Sequence, residues 1–243
     1  MTAGPTSGAE HLPKRRPPGA PPAELPRQRR GTTPKGLGRY PDYDVLTEAS
    51  HWDSLTRQVV LDRVEHVPPM RFFDEREQRT LRAFCDLVTA QDAEPRIPVI
   101  EMVDEKFHAN RLDGFRFHDM PRDPETWKLV ARKLDETAVQ RGGVREGGFA
   151  AADRELQCRI VEAFSEGELD WGELPVKRAW TVVMRAVLSA FYSHPWAWNE
   201  IGFGGPAYPR GFARLGAGQR EHWETPPEFE LDPVQDVHER GLE

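Results

Sequence analysis

The residue types that most often carry out catalysis or bind metals occur in this chain, but not at the spacings that such chemistry needs. There is no HExxH pair of zinc ligands, no CxxCH haem attachment site and no cysteine cluster for iron and sulfur. Scattered histidines favour surface or hydrogen-bonded core positions: His51, His66, His108, His118, His194, His222 and His238. The sequence therefore predicts no metal site and no redox centre in this chain.

Carboxylates, glycines and cysteines lead to the same expectation. The acidic groups Asp74-Glu75-Glu77 and Glu166-Glu168-Asp170 lie next to predicted helix ends, where acids stabilise an N-terminus or solvate a turn. Gly202-Phe203-Gly204-Gly205 lacks the GxGxxG spacing and a preceding strand. Cys85 and Cys158 are too few for a disulfide framework, although a single bridge between them stays open. We expect no catalytic residue and no cofactor here, so the chain is not an enzyme on its own.

Charge divides the 243 residues into a basic arm and an acidic body. Residues 1–42 hold nine of the 22 prolines and a formal charge of +5. Since the whole chain carries −7, residues 43–243 carry −12. The arm has too little apolar surface to offset the entropy of ordering and is predicted to be disordered. An electrostatic contact of the arm with an acidic partner or nucleic acid is the alternative.

The arm also bears on where the protein resides. Its arginine pairs at 15–16 and 29–30 are followed by Pro, Gly and polar residues, whereas an export signal needs an apolar segment there. The sequence therefore predicts a cytoplasmic protein, with export alongside a partner left open. No stretch approaches the roughly 20 apolar residues of a membrane helix. The acidic balance also argues against a dedicated nucleic-acid binder.

From residue 43 onward, apolar residues recur at helical spacing, and no alternating strand pattern competes with them. Asp74 with Glu77 forms a variant of the capping box, and Asp123-Pro124-Glu125 places an N-cap before a first-turn proline. The predicted helices cover about 53–65, 74–88, 97–112, 123–142, 150–165 and 175–193. We predict an all-α fold: a single irregular helical bundle over 43–224, flanked by the disordered arm and by an acidic irregular tail over 225–243.

The most informative stretch is residues 191–212, here called the aromatic segment. It holds seven of the chain's 23 aromatic residues among glycines and prolines, which predicts a loop laid over a surface. At about 150 to 250 Å² for each aromatic side chain, the seven carry more than ~1000 Å², which exceeds the apolar patch that a soluble monomer normally exposes. Either the chain's own helices cover this segment, or a partner does.

Three motifs carry a resemblance to a known family. The first runs from Phe72-Phe73 through Asp92 to Ile97-Pro98, and the second is Gly114-Phe115-Arg116-Phe117-His118-Asp119-Met120-Pro121. The third, which is the longest and most specific, runs from Tyr192-Ser193-His194-Pro195 to Gly211. Together they resemble the gluconate 2-dehydrogenase subunit 3 family over about residues 51–224.

The resemblance implies a small, mainly helical, non-catalytic subunit. It implies assembly with a large flavoprotein of the glucose-methanol-choline oxidoreductase type, whose FAD oxidises a sugar, sugar acid or related alcohol. A cytochrome c subunit is often a third member of such complexes. Family members also often begin with a twin-arginine signal and help their partner to fold and leave the cytoplasm, and this chain departs from that pattern in its arm.

Our hypothesis is that the aromatic segment binds and stabilises the large flavoprotein. The predicted partner-binding residues are Tyr192, His194, Trp196, Trp198, Phe203, Tyr208 and Arg210. Trp196 and Trp198 would be anchors, Gly204-Gly205-Pro206 would set the shape, and Arg210 would pair with a partner carboxylate or backbone carbonyl. On this view Trp198→Ala abolishes association and leaves the helical signal intact. The alternatives are a homo-oligomeric structural protein, a self-sufficient enzyme and a nucleic-acid adaptor.

Overall fold

The computed structural model of this chain describes residues 44–91, 96–144, 146–214, 221 and 223, with the side chain of Glu200 left out. Within them a 3₁₀ helix (Val45–His51) precedes eight α-helices: α1 (Ser54–Glu65), α2 (Glu75–Val88), α3 (Val99–His108), α4 (Asp123–Gly142), α5 (Gly148–Ala151), α6 (Arg154–Glu166), α7 (Val176–Tyr192) and α8 (Pro195–Ile201). These residues contain no strand, which confirms the all-α prediction. The predicted basic arm and acidic tail lie outside the described residues.

The chain divides into two compact units. The central unit comprises Val67–Asp92 and Pro98–Phe191. The terminal unit comprises Met1–His66, Ala93–Ile97 and Tyr192–Glu243, of which 44–66, 96–97, 192–214, 221 and 223 are described. The assignment of residues 43–224 to a single domain stays a prediction. In the described part of the chain, no helix is both long and apolar enough to cross a membrane.

The central unit is a helical core whose elements start where the sequence indicates. The Asp74 side chain accepts the backbone N–H groups of Arg76 and Glu77, and the Glu77 carboxylate accepts the N–H of Asp74, so the predicted capping box is confirmed. α2 then buries Phe84, whose ring centroid lies 6.1 Å from that of Phe164 on α6. Aromatic packing between helices therefore forms the interior of this unit.

A buried carboxylate positions the turn that leads into α2. Asp104 on α3 is fully buried and accepts the backbone N–H groups of Arg71 at 2.7 Å, Phe72 at 3.0 Å and Phe73 at 2.9 Å. Buried polar groups are stable only when they are hydrogen-bonded, and the three donors meet that need for this carboxylate. Asp104 thus joins the 71–73 turn to α3.

Two helix boundaries differ from the prediction for identifiable reasons. α3 ends at His108 rather than near 112, because Asn110 takes a left-handed conformation (φ 51°) and Arg111 donates its N–H to the carbonyl of Lys106, which closes the helix. The region 150–165 contains the end of α5 as well as α6. The break between them occurs because Asp153 caps α6 by accepting the N–H of Leu156 at 2.8 Å.

The terminal unit assembles residues from distant parts of the sequence. The N–H of Val45 donates to Asn199 Oδ1 at 2.8 Å, and the Arg63 guanidinium donates to the carbonyl of Ser193 at 2.7 Å. Partial burial lowers the pKa of Arg63. A small apolar cluster forms its interior: Val45, Trp52, Val60 and Trp198. The residues before α2 therefore fold onto the aromatic segment.

Candidate interaction surface

The aromatic segment contains a two-turn helix, α8, where the sequence predicted an irregular loop. His194 accepts the N–H of Trp196 on its Nδ1 at 3.2 Å and so caps the helix. Pro195 occupies the first helical position, which suits a residue without an N–H. Gly202, at φ 69°, ends the helix. The Gly and Pro content limits the helix to seven residues rather than preventing it.

Three of the seven predicted partner-binding residues lie in the interior of the chain. His194, Trp196 and Trp198 are all buried. The Trp198 indole N–H donates to the carbonyl of Tyr192 at 2.6 Å, and its ring packs in the cluster with Trp52. The structure places Trp196 and Trp198 in buried positions, and their direct contact with a partner stays a prediction. For Trp198, the reason for the burial is that residues 45–60 supply the apolar cover that the sequence left unassigned.

Arg210 also finds its partners inside its own chain. Its guanidinium bonds to the Glu48 carboxylate at 2.8 Å and lies 4.3 Å from the ring centroid of Trp223. A second nitrogen donates to the carbonyl of Pro206 at 3.4 Å. Within this chain Arg210 thus has both a carboxylate and a backbone carbonyl as partners, and its pairing with a partner protein stays a prediction. Arg210 holds the segment in place from within.

Two glycines allow the segment to approach its supports closely. A Cβ at Gly204 would lie 2.8 Å from the Trp223 ring. Gly205 has a φ of 76°, and a Cβ there would lie 2.8 Å from Val45 and 2.9 Å from Trp52. Only glycine fits both the space and the left-handed backbone at position 205. The close neighbours of Gly205 come from the remote 44–66 segment, whereas that of Gly204 is Trp223.

The remaining predicted residues, Tyr192, Phe203 and Tyr208, are exposed, and Tyr208 retains 68% of its accessible surface. Eleven large apolar side chains are exposed in the described residues, and seven of them belong to the terminal unit: Leu55, Val59, Tyr192, Ile201, Phe203, Tyr208 and Phe212. This set is called the exposed apolar surface. Sequence reasoning missed Leu55, Val59 and Ile201, because helical periodicity alone does not reveal which side of α1 or α8 is covered.

A second feature of the central unit fixes the motif at 114–121. The loop after α3 is tied to α7 by two arginines seven residues apart: Arg178 bonds to Asp119 and Arg185 bonds to Asp123 at 2.9 Å. Each guanidinium also lies over a loop phenylalanine, that of Arg185 being 5.9 Å from the Phe115 ring centroid. These contacts give a structural role to Phe115, Phe117 and Asp119 of the motif.

The described residues do not assemble a cluster of metal-ligating side chains. No group of three or more His, Cys, Asp or Glu side chains among them could hold a metal ion. Asp62 and His66 form an exposed pair at 2.8 Å within α1. Gly202–Gly205 follows a helix rather than a strand, so this stretch does not fit a dinucleotide phosphate. What the arrangement can do is offer an apolar surface to another protein.

The two cysteines are not bridged, and their environments predict a difference in reactivity. Cys158 is exposed, whereas Cys85 is buried and its burial raises the pKa of the thiol well above the ordinary value. Since the thiolate is the reactive form, Ellman's reagent at pH 8 is expected to modify one thiol in the folded chain and two in denaturant. Cys158→Ser is the control and should leave none reactive in the folded chain. Rapid reaction of two thiols without denaturant would contradict this burial.

Comparison with known proteins gives one match. The family model described as gluconate 2-dehydrogenase subunit 3 matches residues 75–205, slightly more than half of the chain. The match covers α2 to α8 and ends at Gly205, inside the aromatic segment. No curated protein and no solved structure matches the chain.

Proposed function

The chain belongs to the gluconate 2-dehydrogenase subunit 3 family, and from that premise we propose that it binds and stabilises a large FAD-dependent dehydrogenase of the glucose-methanol-choline type. In this proposal the chain is the accessory subunit and the large chain oxidises a sugar, sugar acid or alcohol. FAD would be bound by the large chain, and in the described part of this chain Gly202–Gly205 follows a helix rather than the strand of a dinucleotide site. A cytochrome c subunit is a further candidate member of the complex.

The concentration of exposed apolar side chains in the terminal unit is the observation that supports this proposal. That unit holds 50 of the 168 described residues but seven of the eleven exposed large apolar side chains. Four of the seven are aromatic and between them expose about 400 Å², at 150 to 250 Å² for a full side chain. A standard interface buries about 800 Å² of each partner, and its centre is enriched in Tyr, Trp and Phe.

The roles within the predicted set divide by burial. Tyr192, Phe203 and Tyr208 would contact the flavoprotein directly, since they are exposed. The buried members His194, Trp196 and Trp198, with Arg210, would hold the segment in the shape that presents them. Stabilisation of the large chain then follows from covering its complementary apolar surface, which would otherwise be exposed to water.

Tyr208→Ser is expected to weaken association with the isolated flavoprotein by about 30-fold, the effect of a hot-spot aromatic. Its melting temperature should stay unchanged, because the side chain is exposed. Binding would be measured by biolayer interferometry with the full-length chain, and complex formation by the flavin absorption that co-elutes with it. A preparation that carries flavin bands and a second chain of flavoprotein size identifies the partner.

The matched control is Phe115→Ser, which removes an aromatic side chain of similar exposure (58%) from the central unit. It should leave the affinity unchanged within about twofold, as expected for a residue outside the interface. Equal weakening by both variants would contradict a surface confined to the terminal unit. A colourless chain that elutes alone, or as a concentration-dependent homo-oligomer, would overturn the proposal in favour of self-association.

A further inference from the structure

We infer that the terminal unit opens as a cooperative unit while the central unit stays folded, and that binding of the large flavoprotein closes it. The second half of this inference rests on the proposed function. The first half concerns the chain alone and rests on its contacts. The inference assigns to residues 44–66 and 192–214 a conformational equilibrium that couples the order of this unit to assembly.

Most of the buried apolar side chains lie in the central unit, whereas most of the exposed large ones lie in the terminal unit. Among the described residues, 118 of which lie in the central unit and 50 in the terminal unit, the central unit holds 31 of the 40 buried apolar residues and four of the eleven exposed large ones. The described part of the terminal unit holds nine of the buried apolar residues and seven of the exposed large ones. Because burial of apolar surface is the main driving force for folding, few buried contacts mark the less stable parts of a protein. The terminal unit gains less from folding for each apolar side chain that it carries.

The interior of the terminal unit also contains a buried donor with no acceptor among the described residues, as does that of the central unit at Trp127. Trp52 is buried, and its indole N–H has no hydrogen-bond acceptor among the described residues. An unsatisfied buried donor costs about 1 to 3 kcal/mol. The four-residue cluster around it, with Val45, Val60 and Trp198, has to offset that cost.

The polar links that close the terminal unit join residues far apart in sequence. The bond from Val45 to Asn199 spans 154 residues, that from Arg63 to Ser193 spans 130, and that from Arg210 to Glu48 spans 162. All three links join residues of 44–63 to residues of 193–210, so each of them holds the same two segments together. Loss of one link therefore favours loss of the others, which makes opening cooperative.

A partner that binds only the closed unit must stabilise it by mass action. At a flavoprotein concentration 100 times the dissociation constant, the open population falls about 100-fold. The exposed apolar surface lies on this unit, so that the proposed binding energy acts on the element with the weakest interior. Free subunit would thus keep this unit partly open, and assembly would order it.

Hydrogen exchange measured by mass spectrometry on the full-length chain tests both halves. In the free chain, amides in α1 and α8 should exchange at least about tenfold faster than those in α2 and α4, with one common opening free energy. Trp198→Ala should accelerate exchange in α1 as much as in α8 and leave α4 unchanged, which independent fraying of short helices would not do. A single global opening that includes α4, or no effect of the variant on α1, would overturn the inference.

The complex isolated from native cells through a tag on this chain tests the coupling. Exchange in α1 and α8 is expected to slow by at least about tenfold in the complex, while that in α2 stays the same. Unchanged exchange in a flavin-containing complex would overturn the coupling and leave the proposed function standing. If no flavoprotein is recovered, the proposed function and the coupling both fail, and the free-chain measurement alone decides on independent opening.

Discussion

Trp198→Ala is expected to destabilise the terminal unit by about 3 to 5 kcal/mol, the usual cost of truncating a buried tryptophan. The ring lies in the cluster with Val45, Trp52 and Val60, and its N–H bonds to the Tyr192 carbonyl. Both contributions disappear in the variant, and the cavity lies among residues from two distant segments. Since this unit has few other buried contacts, we expect it to unfold at 25 °C while the central unit remains helical.

The measurement is far-UV circular dichroism and hydrogen exchange of the full-length variant. The helical signal should fall by the contribution of α1 and α8, and α2 should keep its protection. Trp198→Phe retains a ring but loses the bond to Tyr192 and part of the buried volume, so it should cost clearly less than the alanine variant. An unchanged signal in the alanine variant would show that Trp198 is not a core residue.

This outcome changes how association experiments are interpreted. Loss of binding by Trp198→Ala, with the helical signal intact, is the result that the sequence predicts for a partner anchor. The burial of Trp198 instead predicts loss of binding together with loss of helix. Tyr208 is the better probe of the interface, because its side chain is exposed and its removal leaves the interior untouched.

Local signals account for the parts of the fold that could be predicted. The capping box at Asp74 and the apolar periodicity of α2, α4 and α7 depend on residues within four positions of one another, which a single sequence displays. Helix ends were less predictable. The left-handed residue at Asn110 ends α3, and few sequence rules mark Asn rather than Gly in that role.

The arrangement of the candidate site could not be predicted, because it depends on contacts between distant residues. Neither the Glu48 carboxylate beside Arg210 nor the Trp52 ring beside Gly205 is close in sequence to the aromatic segment. A cluster of aromatic residues indicates that a segment is buried against another surface. The composition of the segment is the same whether that surface belongs to its own chain or to a partner. In the structure Trp198 is covered by its own chain, whereas Tyr208 is exposed.

Asp104→Ala is expected to lower the stability of the central unit by about 3 kcal/mol, which makes it the second large effect. The carboxylate is fully buried and accepts three backbone N–H groups from Arg71, Phe72 and Phe73. Its removal leaves these donors without their acceptor and detaches the turn before α2 from α3. The loss would be measured as a lower urea concentration at the midpoint of unfolding, followed by the hydrogen exchange of the amides in α2 and α3.

Two control variants separate the acceptor role of Asp104 from its volume and from the helix around it. Asp104→Asn keeps the side-chain volume. Each carboxylate oxygen of Asp104 accepts from two backbone N–H groups, so the NH₂ group of an asparagine would face donors in either orientation and could not accept their bonds. We therefore expect Asn to rescue less than half of the loss. Glu105→Ala removes the neighbouring, 41% exposed acid paired with Arg111 and should cost no more than about 1 kcal/mol. Full stability of the Asn variant would show that the side chain fills space rather than binding the turn.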